Sequence, residues 1–176
     1  IAIVREKEMG TMEVLLVSPM KPLLIIIAKA VPYFLLSCIN LTTVLLLSVF
    51  VLDVPVAGSL FWLIMVSLVF IFVSLSLGLL VSTITESQMI AMLISGMVFM
   101  LPVVLLSGMM FPVENMPDFL QWISLAIPAR WYIAAVKDIM IKGLGFEGIV
   151  KELVILSGMI VFLLAVSLKK FKSRLE

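Results

Sequence analysis

The sequence predicts an all-α integral membrane protein, and two observations carry that prediction. Hydrophobic residues make up 64% of the 176-residue chain and charged residues only 13%, about half the charged fraction of an average soluble domain. The charges are also unevenly placed, because long uncharged stretches alternate with short charged ones. Stretches of this kind match the roughly 20 apolar residues that an α-helix needs to cross a bilayer.

A charged, amphipathic stretch at 5–19 precedes the first long apolar run. Thr11 is a candidate N-cap, and Glu13 lies in the first turn, where the positive end of a helix favours a carboxylate. The helix is expected to end before Pro19, because the residue before a proline avoids the helical conformation. We therefore predict a short helix outside the membrane, suited to contact another molecule. The alternative is a solvated charge cluster without a partner.

Four apolar stretches predict four transmembrane helices. They are 23–52, 59–85, 87–113 and 149–168. Lys29, the one charge in the first stretch, lies near enough to its start to reach the headgroups. In the second stretch small residues recur at every fourth position, which favours close approach of another helix. These candidate packing residues are Ser74, Gly78 and Ser82.

The segment 114–148 has a different character, because it mixes charges with prolines and aromatic residues such as Trp122 and Trp131. Tryptophan and tyrosine favour the membrane–water interface. Apolar residues recur there at helical spacing, so we predict two short helices that lie at one face of the bilayer or dip into it.

Basic residues are concentrated before and at the start of the first span and in the tail 169–176. The turn at Asp53 has none, and 114–152 carries no positive excess. The positive-inside rule therefore predicts that both ends of the chain are cytoplasmic and that 114–148 is extracytoplasmic.

Catalytic and cofactor-binding chemistry is not expected. The chain has no histidine and one cysteine, Cys38, so a Ser–His or Cys–His pair and a zinc site lack their groups. The GxGxxG match at 143–148 follows a predicted helix rather than a strand and is expected to form a turn.

A net charge of +1 argues against nucleic-acid binding. No carboxylate is expected deep in a span, which weighs against an ion-driven carrier. Any driving energy would then enter from outside the bilayer.

Two motifs resemble those of ABC-2 type permeases, and together they identify the chain as similar to bacterial drug-export members of that family. The stretch 5–19 resembles the family's cytoplasmic loop, REKE-x-GT-x-E-x-LL-x-[ST]-P. The stretch 106–117 resembles its LSG-x-x-FP-x-x-x-MP block, and the likeness continues to Trp122 and Pro128. One departure is Ile127, because the family usually has an asparagine or a similar residue before this proline.

The resemblance implies a six-span subunit in the bacterial inner membrane, of which this chain holds the last four spans. The helix at 10–17 would be a coupling helix that docks on a separate P-loop ATPase subunit, which would bind the ATP. A second permease, identical or homologous, would pair with this one. The residues that match the coupling motif are Glu6, Glu8, Gly10, Thr11, Glu13, Leu15, Leu16 and Pro19. Those that match the re-entrant motif are Ser107, Gly108, Phe111, Pro112, Met116, Pro117, Trp122 and Pro128.

The resemblance supplies no substrate residues. Two other functions stay open at this point. One is a membrane scaffold or assembly subunit without its own transport path. The other is an intramembrane enzyme, which the missing histidine and the lack of paired intramembrane aspartates disfavour. A neighbouring gene for a P-loop ATPase would favour the permease.

Overall fold

The computed structural model describes residues 2–10 and 22–173, and the regular structure within these ranges is helical. The helices are α1 (Ala2–Glu8), α2 (Pro22–Phe50), α3 (Leu60–Ile84), α4 (Gln88–Leu106), α5 (Asp118–Leu125), α6 (Pro128–Met140) and α7 (Phe146–Ser173), with a 3₁₀ turn at Val113–Asn115. Among them α2, α3, α4 and α7 are long and apolar enough to cross a membrane. The predicted all-α membrane fold is confirmed.

The core lies where α3, α6 and α7 meet. Leu63 near the start of α3 shares a buried cluster with Ile149 near the start of α7, and Val73 further along shares the next cluster with Leu156. The two long helices therefore run parallel. α2 and α4 lie at the periphery, with most of their apolar side chains exposed. Such exposure suits a helix bundle in lipid, because lipid tails are as apolar as leucine.

The third span is shorter than 87–113 and irregular. α4 ends at Leu106, and its middle, Ile94–Met100, is π-helical. Pro102 follows that segment. Proline has no N–H to donate, and its ring clashes with the carbonyl four residues earlier in a regular helix. The wider π turn relieves this conflict, so the sequence accounts for the irregularity.

The bundle has two ends, which we name by their contents. The hairpin end is named after the helix pair α5 and α6, which it holds together with the loops 51–59 and 141–145. The α1 end holds α1 and the turn 85–87. At the hairpin end the loop 51–59 contacts the end of α6, where the Ala57 N–H donates to the Met140 carbonyl at 3.1 Å. Gly143, at a φ of +65°, lies against the Ala57 carbonyl, so the glycines after α6 turn the chain as predicted.

Candidate functional site

The predicted coupling motif lies partly outside the described residues, namely at Thr11, Glu13, Leu15, Leu16 and Pro19. Glu6 is part of the α1 backbone, and nothing is described of its side chain. Gly10 follows α1 at a φ of +68°, the left-handed conformation that commonly ends a helix. Of the motif carboxylates, Glu8 is the one whose contacts the structure describes.

Glu8 binds the first residue of α4. Its Oε1 accepts a hydrogen bond from the Gln88 backbone N–H at 2.8 Å, and its Oε2 accepts one from Gln88 Nε2 at 2.5 Å. The side-chain hydrogen bond with Gln88 lowers the pKa of the Glu8 carboxyl, and the backbone N–H and the Ser87 hydroxyl add to the effect. Hydrogen bonds of this kind favour the charged form of a carboxyl. The ionised carboxylate therefore joins the end of α1 to the start of α4.

An apolar contact lies beside this polar one. Val4 of α1 is fully buried against Val81 of α3 and Ala91 of α4, with Ile94 and Phe99 packed around them. α1 is thus fixed against two long helices at once. The motif residue Glu8 lies at the end of that fixed helix, directly before the loop that the sequence predicts to dock on an ATPase.

The re-entrant motif begins with a tight turn after α4. Gly108 has a φ of +81°, and its carbonyl accepts a hydrogen bond from Lys137 Nζ at 3.1 Å. A side chain at this position would be strained, since L-residues rarely adopt that conformation. The Ser107 hydroxyl is buried, without a hydrogen-bond partner in the described part of the chain. The hydrogen bond between Lys137 and Gly108 connects this turn to α6, although the two residues are 29 positions apart.

The corner between α5 and α6 is held by side-chain hydrogen bonds from α6 to the second half of α5. The helices meet at 89°. Arg130 donates to the Gln121 carbonyl at 3.1 Å and also to the Ser124 hydroxyl, and Trp131 Nε1 donates to the Leu125 carbonyl at 3.0 Å. The Leu125 carbonyl is one of the last carbonyls of α5, which lack a backbone donor within the helix. The Gln121 carbonyl also accepts a hydrogen bond from the Ser124 hydroxyl at 2.7 Å. Pro128 opens α6, a position that suits proline because no N–H is needed there.

α6 reaches into the bundle rather than lying on it. The Tyr132 ring stacks on Phe70 with ring centroids 4.3 Å apart, and its hydroxyl lies 3.0 Å from Ser67 Oγ. Phe70 is ten residues after Leu60, about 15 Å along α3. That distance is roughly half the thickness of a hydrocarbon core. α5 stays outside, with Phe119 and Trp122 largely exposed. Together α5 and α6 form a hairpin whose second helix packs against α3 about 15 Å from the start of α3.

An open apolar groove of about 570 Å³ lies between the second half of α4 and the segment that leads into α5. Its volume is within the range of small-molecule sites. Its lining includes four predicted motif residues and is almost wholly apolar. The lining residues are Met97, Leu101, Pro102, Leu105, Leu106, Phe111, Pro112, Asn115, Met116, Pro117 and Leu120.

The small-residue ribbon of α3 is largely open within the described chain. Ser74 and Gly78 are exposed, and a Cβ added at Gly78 would meet nothing within 4 Å. Ser82 is buried. Close packing along the whole ribbon therefore stays a prediction, and it would need a helix beyond the described residues. Ser67, outside the ribbon, contacts α6 through the Tyr132 hydroxyl.

Glu152 is a buried carboxylate near the start of α7. It lies six residues into α7, about 9 Å along the helix, and is only 8% exposed, with Oε2 buried and without a hydrogen bond to any described residue. A carboxylate therefore does lie within the last apolar helix. The sequence already indicated that Glu152 is buried, because it falls between Ile149 and Leu156 at the spacing of one helix face.

Other residues of the site were missed for a different reason. Gln88, Lys137 and Tyr132 owe their roles to partners 80, 29 and 65 residues away. No local pattern pairs such residues.

Comparisons with known proteins agree with the two motifs. The ABC-2 type transporter family matches residues 1–141. Two similar proteins from Escherichia coli (strain K12) are each named a probable multidrug ABC transporter permease. YbhS is 34% identical over 143 residues and YbhR is 37% identical over 142, each covering 81% of this chain and 38% of the relative. ABC transporter G family member 20 of Dictyostelium discoideum is 28% identical over 163 residues, which is 91% of this chain and 22% of the relative. No solved structure matches.

Proposed function

Because this chain belongs to the ABC-2 type transporter family, we propose that it is part of an exporter permease driven by a separate ATPase subunit. The family match across 1–141 carries the proposal, since it includes both motifs. The chain spans 38% of the length of the two bacterial relatives, so the rest of such a subunit would contribute further spans. A second permease would complete the transport path.

We propose that the α1 end of the bundle is cytoplasmic. α7 runs parallel to α3, so Lys169 and Lys170 fall at the same end as α1 and Arg5. The basic flanks of the chain thus gather at one end, as the positive-inside rule requires of a cytoplasmic side. The loop after Gly10 would then face an ATPase, and the hairpin would face outward in the inner membrane.

The mechanism would be mechanical coupling rather than catalysis. ATP binding to the partner would change its grip on the helix at 10–17, because a ligand shifts a two-state element only through contacts that differ between the states. The groove beside Phe111 and Met116 would take part in the outer path. Its apolar lining, which includes the flexible side chains of Met97 and Met116, supports an apolar or amphipathic substrate class and fits the multidrug names of the relatives.

A charge reversal tests the coupling. The full-length permease would be purified with the ATPase encoded beside it, and Glu13→Lys would be compared with Glu147→Lys. Glu147 lies in the first turn of α7, at the hairpin end, so it offers the same chemical change far from the loop. We expect Glu13→Lys alone to weaken complex formation and the ATPase response. Equal behaviour of both variants would contradict the proposal and favour the scaffold.

Orientation has its own test. Single cysteines would replace Met9 at the α1 end or Met109 at the hairpin end, both well exposed, in a Cys38→Ser background. A membrane-impermeant maleimide should label the Met109→Cys variant in spheroplasts and the Met9→Cys variant only in inverted vesicles. The reverse pattern would place the loop on the side that ATPases cannot reach.

A further inference from the structure

The contact between Glu8 and Gln88 joins two elements that differ in how firmly they are held. α1 is fixed by Val4, which is buried against α3 and α4. α4 buries little else, because Ala91 is the one buried side chain among Gln88–Leu106. The carboxylate–amide pair is therefore a substantial part of what positions the start of α4.

The chemistry of the pair makes it a directional link. A carboxylate offers only acceptors, and the Gln88 backbone N–H and side-chain amide present two donors. The two hydrogen bonds, at 2.8 and 2.5 Å, fix both the position and the orientation of the first turn of α4. Bonds to an ionised group are shorter and stronger than bonds between neutral groups. A displacement of the end of α1 must then move Gln88 or break both bonds.

α4 is built to pass on such a displacement. Beyond its first turn lies the π-helical Ile94–Met100, followed by Pro102. π turns inside α-helices often occur at functional sites, and a proline weakens the local hydrogen-bond ladder. The far half of α4 lines the apolar groove through Leu101 and Leu105. A shift at Gln88 can thus alter the groove without moving the packed core.

We infer that Glu8 and Gln88 form the positioning contact through which the segment 11–21 moves α4, an inference that rests on the proposed function. This segment follows Gly10, which lies two residues after Glu8. The pair is then the route by which a partner bound to the segment reshapes the groove, parallel to any route through α2.

The test measures the movement of α4 itself. Spin labels on cysteines at Ile84 of α3 and Met92 of α4, both exposed, would report the distance between the two helices in the full-length complex with its ATPase. Gln88→Glu sets two carboxylates against each other and breaks the link. Adding Glu8→Gln to that variant exchanges the two side chains, so that an amide at position 8 faces a carboxylate at position 88. Met89→Glu is the control, since it adds the same charge at the exposed neighbouring residue.

We expect ATP to change the label distance in the wild type, in Met89→Glu and in the swapped double variant, but not in Gln88→Glu. The ATPase response to the permease should fall roughly fivefold in Gln88→Glu, the lower range of coupling factors between sites, and recover in the double variant. Recovery by exchange assigns the loss to the Glu8–Gln88 pair, because a loss that arose elsewhere would not be restored by the second substitution, and the ATP-dependent label distance separates coupling from a merely structural role.

Two results would overturn the inference. One is an ATP-dependent distance change in Gln88→Glu equal to that of the wild type, with the ATPase response intact; the proposed function would then stand without this link. The other is a wild-type complex whose ATPase ignores the permease, which would overturn the proposed function as well. Should Gln88→Glu fail to accumulate, Gln88→Ala replaces it. That variant removes one of the two bonds, so a partial loss is expected and an unchanged response contradicts the link.

Discussion

Replacing Gly58 with alanine should loosen the hairpin end of the bundle, because there is no room for a side chain there. A Cβ at this position would lie 2.5 Å from the Ile139 carbonyl oxygen and 3.1 Å from Ile139 Cγ2. The nearer atom belongs to the backbone of α6 and cannot rotate away. The loop 51–59 must therefore shift away from α6, by several tenths of an ångström or more.

The cost follows from two contributions. Overpacking of this kind typically costs about 1–3 kcal/mol. A shifted loop also strains the hydrogen bond from the Ala57 N–H to the Met140 carbonyl, which contributes about 1 kcal/mol. We expect Gly58→Ala to reduce the free energy of unfolding by about 2–4 kcal/mol. Reversible unfolding in mixed detergent micelles, followed by tryptophan fluorescence, measures this change.

Gly145→Ala is the matched control. It lies at the same end of the bundle, and a Cβ there would meet nothing within 4 Å. We expect a change within about 0.5 kcal/mol, as for other open surface positions. A Gly58→Ala protein as stable as the wild type would refute the close approach of the loop to α6. Equal losses of unfolding free energy in both variants would show that the backbone freedom of glycine, rather than the space around Gly58, determines the stability of the hairpin end.

Three further predictions concern the site. Tyr132→Phe should cost only about 0.6 kcal/mol in the same unfolding assay, because Ser67 keeps its 2.8 Å bond to the Leu63 carbonyl; Tyr132→Leu should cost about 0.5–1.5 kcal/mol more by losing the ring stack, and equal losses would contradict the stacking. Because the Glu8 pKa is lowered from 4.5, the ionised carboxylate stabilises the α1–α4 contact fully above pH 4.5, and this stability is lost as the pH falls through the lowered pKa. The distance between labels on Met9 and on α4 should therefore stay constant from neutral pH down to that region and then lengthen. A distance that already lengthens near neutral pH would be inconsistent with a lowered pKa. Pro102→Ala should let α4 wind as a regular α-helix, seen as slower amide hydrogen exchange across 94–100; unchanged exchange would mean that the proline does not cause the π turn.

The transmembrane helices were predictable because a bilayer restricts which structures can cross it. A bilayer requires long apolar helices whose backbone groups are paired internally, so the long apolar stretches predicted α2, α3 and α7 to within a few residues. The third span was shortened in the structure, because Gly108 turns the chain back at a φ of +81°. An apolar turn such as 107–112 has the composition of a span and the conformation of a loop, and composition cannot separate the two.

The contacts within the site were less predictable than its motifs. Pro112, Met116 and Pro117 were identified by resemblance, and the structure brings them to one groove. The depth of the hairpin depends on Tyr132 meeting Ser67 and Phe70 across 65 and 62 residues, which no local spacing encodes. The burial of Glu152 was readable from helical periodicity, because it shares a helix face with Ile149 and Leu156.

The proposal that this chain couples to an ATPase is tested most directly at Met12, inside the predicted coupling helix at 10–17. The full-length permease, carrying Cys38→Ser and a single cysteine at Met12, would be purified with the ATPase encoded beside it and treated with a short cross-linker with and without ATP. We predict a permease–ATPase product whose yield changes with ATP, and no such product from a cysteine at Met109. No cross-link at Met12 or at neighbouring Val14, with or without ATP, would contradict the coupling role and favour a scaffold.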